Sequence, residues 1–594
     1  MKVLVFAPHS AIWVHAFPEA HVAEALQQAG HQIVYVGCGR VFSELCVSMG
    51  AYGVGIEASV ARKKQVCELC DANKQIIRQS FDFAGPDLAD LLDVADQAWV
   101  ESVCASVTQE NYLDLVVDEV KVGKCALSHF LINRKKSNLE FSDGEWERFR
   151  VELRNTLKAF AGIKRALDSE KPDRVIVYVA AYSVNFVCCE LAKQRGIPHY
   201  YLAAAGNLSD RLQRIVLAKG HTMHFQKNNI RHWKALKDYP CSAESLSYIT
   251  RHFRELLRGH NPFVYSSPAQ NKLVDLKERF GIAEDKKVLL AAMSSYDEIY
   301  ASQIVGLWPD DFESIFPSQM EWIKALIDFV ERRPDLFMLI RVHPREFPNK
   351  RDTGFSDSAL KFQKMLVSLP PNVKVNWPTD QISMYDIAEI TDVCLNAWSS
   401  AGKELTLLGI PVVTYAPDLL VYPPELNYVS DSREGYFQQV LLALEQGWSA
   451  DRIRAAYRWY VLEFEKAMID LTESFTASEN QTDSLVVRGV NKMRRALDPY
   501  HRQAKDCARR AAGLKAAPLI NRLVEDARET VLDIRVEEGF PSVSAEEETA
   551  ALRREVGQLV ELMYANRGPA KANTLRYKLE GFVRASDEST QQRT

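Results

Sequence analysis

The 594-residue chain has no apolar run that approaches the length of a bilayer span. After Met1 and Lys2 only Val3 to Phe6 is apolar, and Pro8 and His9 follow at once, too short a stretch for the core of a signal peptide. These two absences lead to the expectation of a cytoplasmic protein. The opening strand–loop–helix stretch has no Gly-x-Gly-x-x-Gly, which excludes a dinucleotide cofactor there. The pair Cys67 and Cys70 has no second Cys-x-x-Cys or His pair near it, so a four-ligand zinc site is not expected. An excess of positive charge is missing too: the net charge is −5, which leaves no electrostatic reason to expect nucleic acid. The eleven cysteines are scattered, Cys188 and Cys189 adjacent, and read as reduced core thiols rather than a disulfide framework.

What is present alternates between two periods. Lys2–Phe6 predicts a strand, Phe17–Gly30 a helix and Gln32–Val36 a second strand, the opening of a Rossmann-like half. The first loop, Ala7 to His15, then lies at the carboxyl edge of the sheet, where ligands bind. Ala58 to Val107 reads as a helical insertion. Leu113 to Glu119 predicts a strand ending in Asp118 and Glu119, with Lys121 two positions on, a placement suited to acid, base or nucleophile chemistry. Arg174–Val179 and His199–Ala203 are further strands.

A second α/β series follows a helical passage. Lys287–Met293, Phe337–Val342, Val373–Trp377, Thr391–Asn396 and Pro411–Tyr415 predict buried parallel strands. Three of their loops should converge: the one with Ser294 and Ser295, the one with His343 and Arg345, and the one with Ser399, Ser400 and Glu404. Hydroxyls and unpaired N–H groups at a helix start suit a phosphate. An imidazole and a guanidinium could donate to it, and a carboxylate one turn into the helix could hold a ribose. The bland alternative makes Ser399 and Ser400 an ordinary cap and Glu404 a first-turn acid. The expected organisation is 1–211, an α/β half with a helical insertion; 212–285, a helical passage; 286–447, the nucleotide half; and 448–594, a helical extension with a loose tail. Within the last part, 492–515 is basic, a composition that can rest on an anionic membrane or form a solvated helix face.

Two stretches, Ile340–Glu346 and Trp398–Glu404 with its continuation Leu408–Val413, resemble GT-B glycosyltransferases of bacterial surface-polysaccharide synthesis. The His-Pro pair and Ser-Ser turn are similar to the signature of capsule and sialic-acid or Kdo transferases that use CMP-activated sugars. Similar features occur in CDP-glycerol polymerases and in nucleotide-sugar 2-epimerases. The resemblance implies two Rossmann-like domains facing a cleft, a nucleotide-sugar donor on the second and a glycan or lipid-linked glycan acceptor on the first. It implies no cofactor and no metal. Ser399 and Ser400 would then hold phosphate, His343 would meet the charge of the departing phosphate, and Glu404 would hold ribose. Asp118–Gly123 resembles an acidic motif of some surface-carbohydrate transferases, which makes Glu119 and Asp118, then His15, the candidates for the base. An epimerase of similar fold and a catalytically silent scaffold subunit remain the competing readings.

Overall fold

The structure is a computed structural model that describes all residues except 266, 269–274, 309–313, 350–353, 476–499, 511–512, 542, 566–567 and 592–594. Two sheets organise it. The first contains β1 (Lys2–Phe6), β2 (Gln32–Val36), β3 (Arg174–Tyr178), β4 (His199–Ala204), β5 (Arg214–Lys219) and β11 (Ile469–Asp470) in the order β11-β5-β4-β3-β1-β2. Strands β1 to β4 run parallel, while β5 and β11 are antiparallel additions at one edge. The second sheet is parallel throughout, with β6 (Lys287–Ala292), β7 (Leu336–Arg341), β8 (Val373–Asn376), β9 (Val393–Asn396) and β10 (Val412–Thr414) in the order β10-β9-β6-β7-β8.

That second order is the doubly wound one, with its switch point between β6 and β9. Residues Val288–Ala292, Leu336–Arg341 and Val393–Asn396 are all buried, as strands covered by helices on both faces must be. Both domains are therefore Rossmann-like, as the alternation of periods predicted.

Carboxyl-edge loops of the two sheets face one another. Gly206, just beyond β4, lies so close to the ring of Phe464 that a Cβ there would stand 2.1 Å from it, and that ring also flanks Lys403, beyond β9, at 5.3 Å. Helix Val122–Arg134 rests on the loop after β3 through Ser128 Oγ to Ala181 O, at 2.9 Å, and Ser183 Oγ to Ala126 O, at 3.0 Å. Its far end meets the second domain: Asp357 accepts from Ser137 N at 3.1 Å and from Asn138 Nδ2 at 2.7 Å.

Several expectations are corrected. Leu113–Glu119 is not a strand: Tyr112–Asp114 is a 3-10 turn, and Val117 and Val120 exchange backbone hydrogen bonds across a two-residue turn. Asp118 and Glu119 occupy its two tip positions with φ of 44° and 66°, the geometry of a hairpin turn whose residues both need positive φ. The first sheet takes in β5 and β11, beyond residue 211, so the stretch 212–285 opens with a strand and not with helices. Ala450–Leu471 is no single helix: Ala450–Val461 passes through a π-helical turn at Leu462–Lys466 and ends in β11.

The closing segment is not loose within the described residues. Helix Ala545–Tyr564 starts on a Ser544–Glu547 capping box and buries Ala551, Leu552, Val556 and Leu559 in the same apolar cluster as Leu246, Ile249 and Phe253 of helix Ala243–Arg258. Of the basic stretch 492–515, Arg494 and Arg495 lie outside the described residues. Helix His501–Arg510 packs on the first domain, Arg510 bonding Glu24 and Ser80 O and Arg509 bonding Phe475 O. The Arg510 guanidinium is turned into the protein, whereas Arg509 remains exposed. Among the described residues no helix is long and apolar enough to cross a membrane.

Candidate functional site

The three loops of the second domain start level. Asn396 of β9 pairs with Ala292 of β6, which pairs with Arg341 of β7. With strands about 4.8 Å apart, the loops after β7 and β9 begin about 10 Å from each other, a gap one nucleotide can bridge. Direct hydrogen bonds tie them together. The Trp398 N–H donates to Ser294 Oγ at 3.3 Å, and Arg345 Nη2 donates to Asp297 at 2.7 Å.

His343 caps the 3-10 turn Pro344–Glu346 and its Nδ1 accepts from Arg345 N at 3.3 Å. Burial first, and the neighbouring Arg345 second, push its pKa down to about 4, so it is neutral at pH 7. With Nδ1 accepting, the ring proton sits on Nε2. That leaves a half-buried neutral N–H donor at the sheet edge, Tyr265 flanking it at a ring separation of 6.1 Å.

Arg345 is not the free phosphate donor that its position suggested. Its guanidinium is spent on Asp297, on Tyr265 OH at 3.2 Å and on Ile132 O of the first domain at 2.8 Å. Burial opposes its charge, but the Asp297 bonds outweigh that and hold its pKa above the ordinary value. Ser295 Oγ donates to the same Asp297 at 2.5 Å, and Ser294 exchanges backbone hydrogen bonds with the Gln319 side chain at 2.6 and 3.0 Å. Ser294, Ser295 and Arg345 thus shape the loops. Ser400 is exposed and Ser399 half-buried, open to a ligand.

Glu404 accepts from Ser400 Oγ at 2.9 Å and from Tyr385 OH at 2.9 Å. Burial raises its pKa, the two hydroxyl donors opposing. Behind it Arg341, 8% exposed, donates to Asn376 and to Ile382 O, and burial lowers its pKa to about 10. Lys403, 5% exposed, pairs with Glu463 at 2.6 Å beneath Tyr460 and Phe464. Gly402 has no room for a side chain, because a Cβ would stand 2.3 Å from Tyr422 OH and 2.5 Å from Asn396 Nδ2. Both are buried, and Asn396 holds the turn through Ser399 O at 3.1 Å. Gly402→Ala is expected to cost about 1–3 kcal/mol by overpacking and to displace the Ser399–Ser400 turn; denaturant melts measure the first effect, and an unchanged midpoint counts against the reading.

Solved structures provide the outside comparison. No family model matches the chain, and none of the curated proteins matches it. A KpsC β-Kdo 2,4-transferase of Thermosulfurimonas dismutans matches at 14% identity with a TM-score of 0.30, covering 48% of this chain and 80% of that one. A UDP-GlcNAc 2-epimerase from Neisseria meningitidis, bound to UDP-GlcNAc, matches at 13% and 0.22, covering 78% and 97%. The glycosyltransferase SnogD from Streptomyces nogalater matches at 13% and 0.23, covering 78% and 95%. Scores this low do not choose between transferase and epimerase, and the architecture stands on the strand order alone.

On the first domain the structure separates the three base candidates. Asp118 binds Lys164 near the end of helix Asp143–Glu170, and Gln194, the last residue of helix Ser183–Gln194, donates to its carbonyl. Helices that end there lead into the amino ends of strands, so Asp118 and Glu119 sit away from the cleft. His15 sits in it, stacked on Tyr178 of β3 at 4.2 Å and pushed down to a pKa of about 4 by burial.

Around His15 stand groups the sequence did not single out. Among the described residues His9 has no hydrogen-bond partner on either ring nitrogen, nor has His15 on Nδ1 or Glu19 on Oε1. Together with Tyr178 and Tyr182 they line a cavity of about 10 Å³ at the carboxyl ends of β1 and β3. His129 packs edge-on to Tyr182 at 5.1 Å. Burial, then His129 and His15, drive His9 to about 3, and burial holds Glu19 well above the carboxylate range. His9 was legible as a residue of the first loop. His129, in mid-helix, carried no signal. Among the described residues no group of His, Cys, Asp or Glu is arranged to hold a metal ion.

Proposed function

We propose that the chain is a GT-B glycosyltransferase that moves a sugar from a nucleotide-activated donor to a growing bacterial surface glycan. The observation that carries this reading is the meeting of the three carboxyl-edge loops of the second domain, with His343 half-buried and Ser400 exposed at their edge. The motif resemblance favours a CMP-activated sugar of Kdo or sialic type, and a glycan or lipid-linked glycan as acceptor. Work on the cytoplasmic side, without cofactor or metal, belongs to the same reading.

In this mechanism the acceptor hydroxyl lies against the first loop, and its proton passes to the neutral imidazole of His15 rather than to Asp118 or Glu119. The acceptor oxygen bonds to the anomeric carbon as the bond from that carbon to the nucleotide phosphate breaks. The phosphate keeps the electron pair, and fixed donors placed where this charge develops lower the barrier most. His343 Nε2–H and the Ser399–Ser400 turn are those donors. Glu404, fixed by Tyr385 and Ser400, accepts from the ribose hydroxyls.

Thermal melts with CMP-, UDP-, GDP- and CDP-sugars test the donor site, since a specific ligand stabilises the fold by mass action. One nucleotide class should raise the midpoint. If none does, the transferase reading gives way to the scaffold; sugar conversion without any acceptor would favour the epimerase.

A further inference from the structure

Helix His501–Arg510 grips the first loop from outside the sheet. Asp506 is wholly buried and accepts from Trp13 Nε1 at 2.8 Å. Trp13 begins the helix on which His15 and Glu19 lie. Gln503, 8% exposed, donates to Asn73 Oδ1 at 3.2 Å, and Asn73, 1% exposed, donates onward to Ser10 O at 2.9 Å and Ala11 O at 3.3 Å. A third tie is Arg510, which bonds Glu24 on the helix of His15, where His21 also bonds Glu24 at 3.1 Å and Ser474 at 2.8 Å.

The ties at Ser10, Ala11 and Trp13 fall between His9 and His15, and the third lies beyond His15 at Glu24. Ser10 and Ala11 directly follow His9, and Trp13 lies two residues before His15. The backbone between them holds the imidazoles against Tyr178 and Tyr182 but forms no strand of its own. A loop fixed at both ends keeps its side chains in place at little entropic cost, whereas an unsecured one does not.

We propose that Gln503 and Asp506 are positioning residues for the first loop, so that the C-terminal extension completes the cleft side holding His9 and His15. This rests on the proposed function only for what the imidazoles do; their placement is independent of it. The groups facing His15 are Tyr178 from β3, His9 from the loop, and Glu19 from its own helix. None belongs to helix His501–Arg510, so the helix acts on His15 through Trp13, through the loop and through Glu24 on the helix of His15.

The test follows the His15 ring by 13Cε1-histidine NMR in the full-length protein, assigned with His15→Gln, as pH falls from 7.5 to 4. In the wild type His15 should stay neutral until near pH 4. In Asp506→Ala and in Trp13→Phe it should titrate at least one pH unit higher, while Asp506→Asn, which keeps an acceptor for the indole N–H, should restore the wild-type curve. Circular dichroism confirms that each variant is folded. Wild-type titration in both Asp506→Ala and Trp13→Phe overturns the proposal, and so does failure of Asp506→Asn to restore it. No nucleotide enters the measurement, so a negative sugar-nucleotide panel would remove the transferase reading and leave this result standing.

Discussion

His343→Ala and Glu404→Ala are each expected to remove most of the thermal stabilisation that the matching nucleotide sugar gives the wild-type protein. Ligand at a hundredfold its Kd stabilises a fold by about 2.7 kcal/mol. A hydrogen bond to a charged phosphate oxygen is worth about 1.5–3 kcal/mol, so losing the Nε2–H of His343 weakens binding about 10- to 100-fold. At a fixed ligand concentration most of the shift disappears. Glu404→Ala removes the acceptor for the ribose and strands Tyr385 OH, which no longer has its carboxylate. Glu404→Gln keeps the volume and separates the two effects. The His343 ring is half-buried and, among the described residues, hydrogen-bonds to its own turn, so its removal should leave the apo midpoint nearly unchanged. Full stabilisation retained in both alanine variants would remove this site.

Acid should unfold the protein abruptly, not gradually. Burial lowers the pKa of His9, His15, His129, His199, His221, His252 and His343 to about 3 or 4. A group depressed in this way binds fewer protons when folded. Its contribution is intact above 6.5 and drains away as pH falls towards the folded value, at up to about 1.4 kcal/mol per pH unit. Several carboxyls removed from water work the other way. Glu152 and Glu346 are raised to about 7 by burial, and Glu19 and Glu404 are also raised. Their contribution is full below 4.5 and is lost as pH climbs through the folded value, so on acidification they gain.

Between pH 6.5 and 4.5 the two sets oppose, so the carboxyl gain offsets part of the imidazole loss. Below 4.5 the carboxyl gain is exhausted while the imidazoles still titrate, and the net loss steepens. Against a total stability of about 5–15 kcal/mol, that is enough for complete unfolding near pH 4. Calorimetric midpoints taken from pH 7.5 downward should show a modest decline and then a collapse. A midpoint still high at pH 4 would contradict it.

The second domain was legible because its strands are buried on both faces and read as continuous apolar runs, Val288–Ala292 and Phe337–Ile340 among them. The first domain was less so. Leu113–Val117 looks like a strand in isolation, yet it folds against the aromatic group of Tyr112, Phe141, Trp146 and Phe149, and no Asn-Gly or Asp-Gly announced its turn. β5 and β11 are recognised by their partners rather than by their own pattern; a two-residue strand has no period to read. Ser400 and Glu404 were placed by the Ser-Ser turn, whereas Tyr385 and Glu463 come from other elements with nothing in their neighbourhoods to announce them.

The return of β11 to the first sheet after the whole second domain has been built has a consequence for synthesis and dissection. An amino-terminal fragment ending near residue 285 would leave β5 with an open edge where Ile469 and Asp470 pair with it, and would expose apolar surface normally covered by Phe475, Ile520 and Leu523. Released from a ribosome, the first half must wait for the last hundred or so residues before its outer flank is closed.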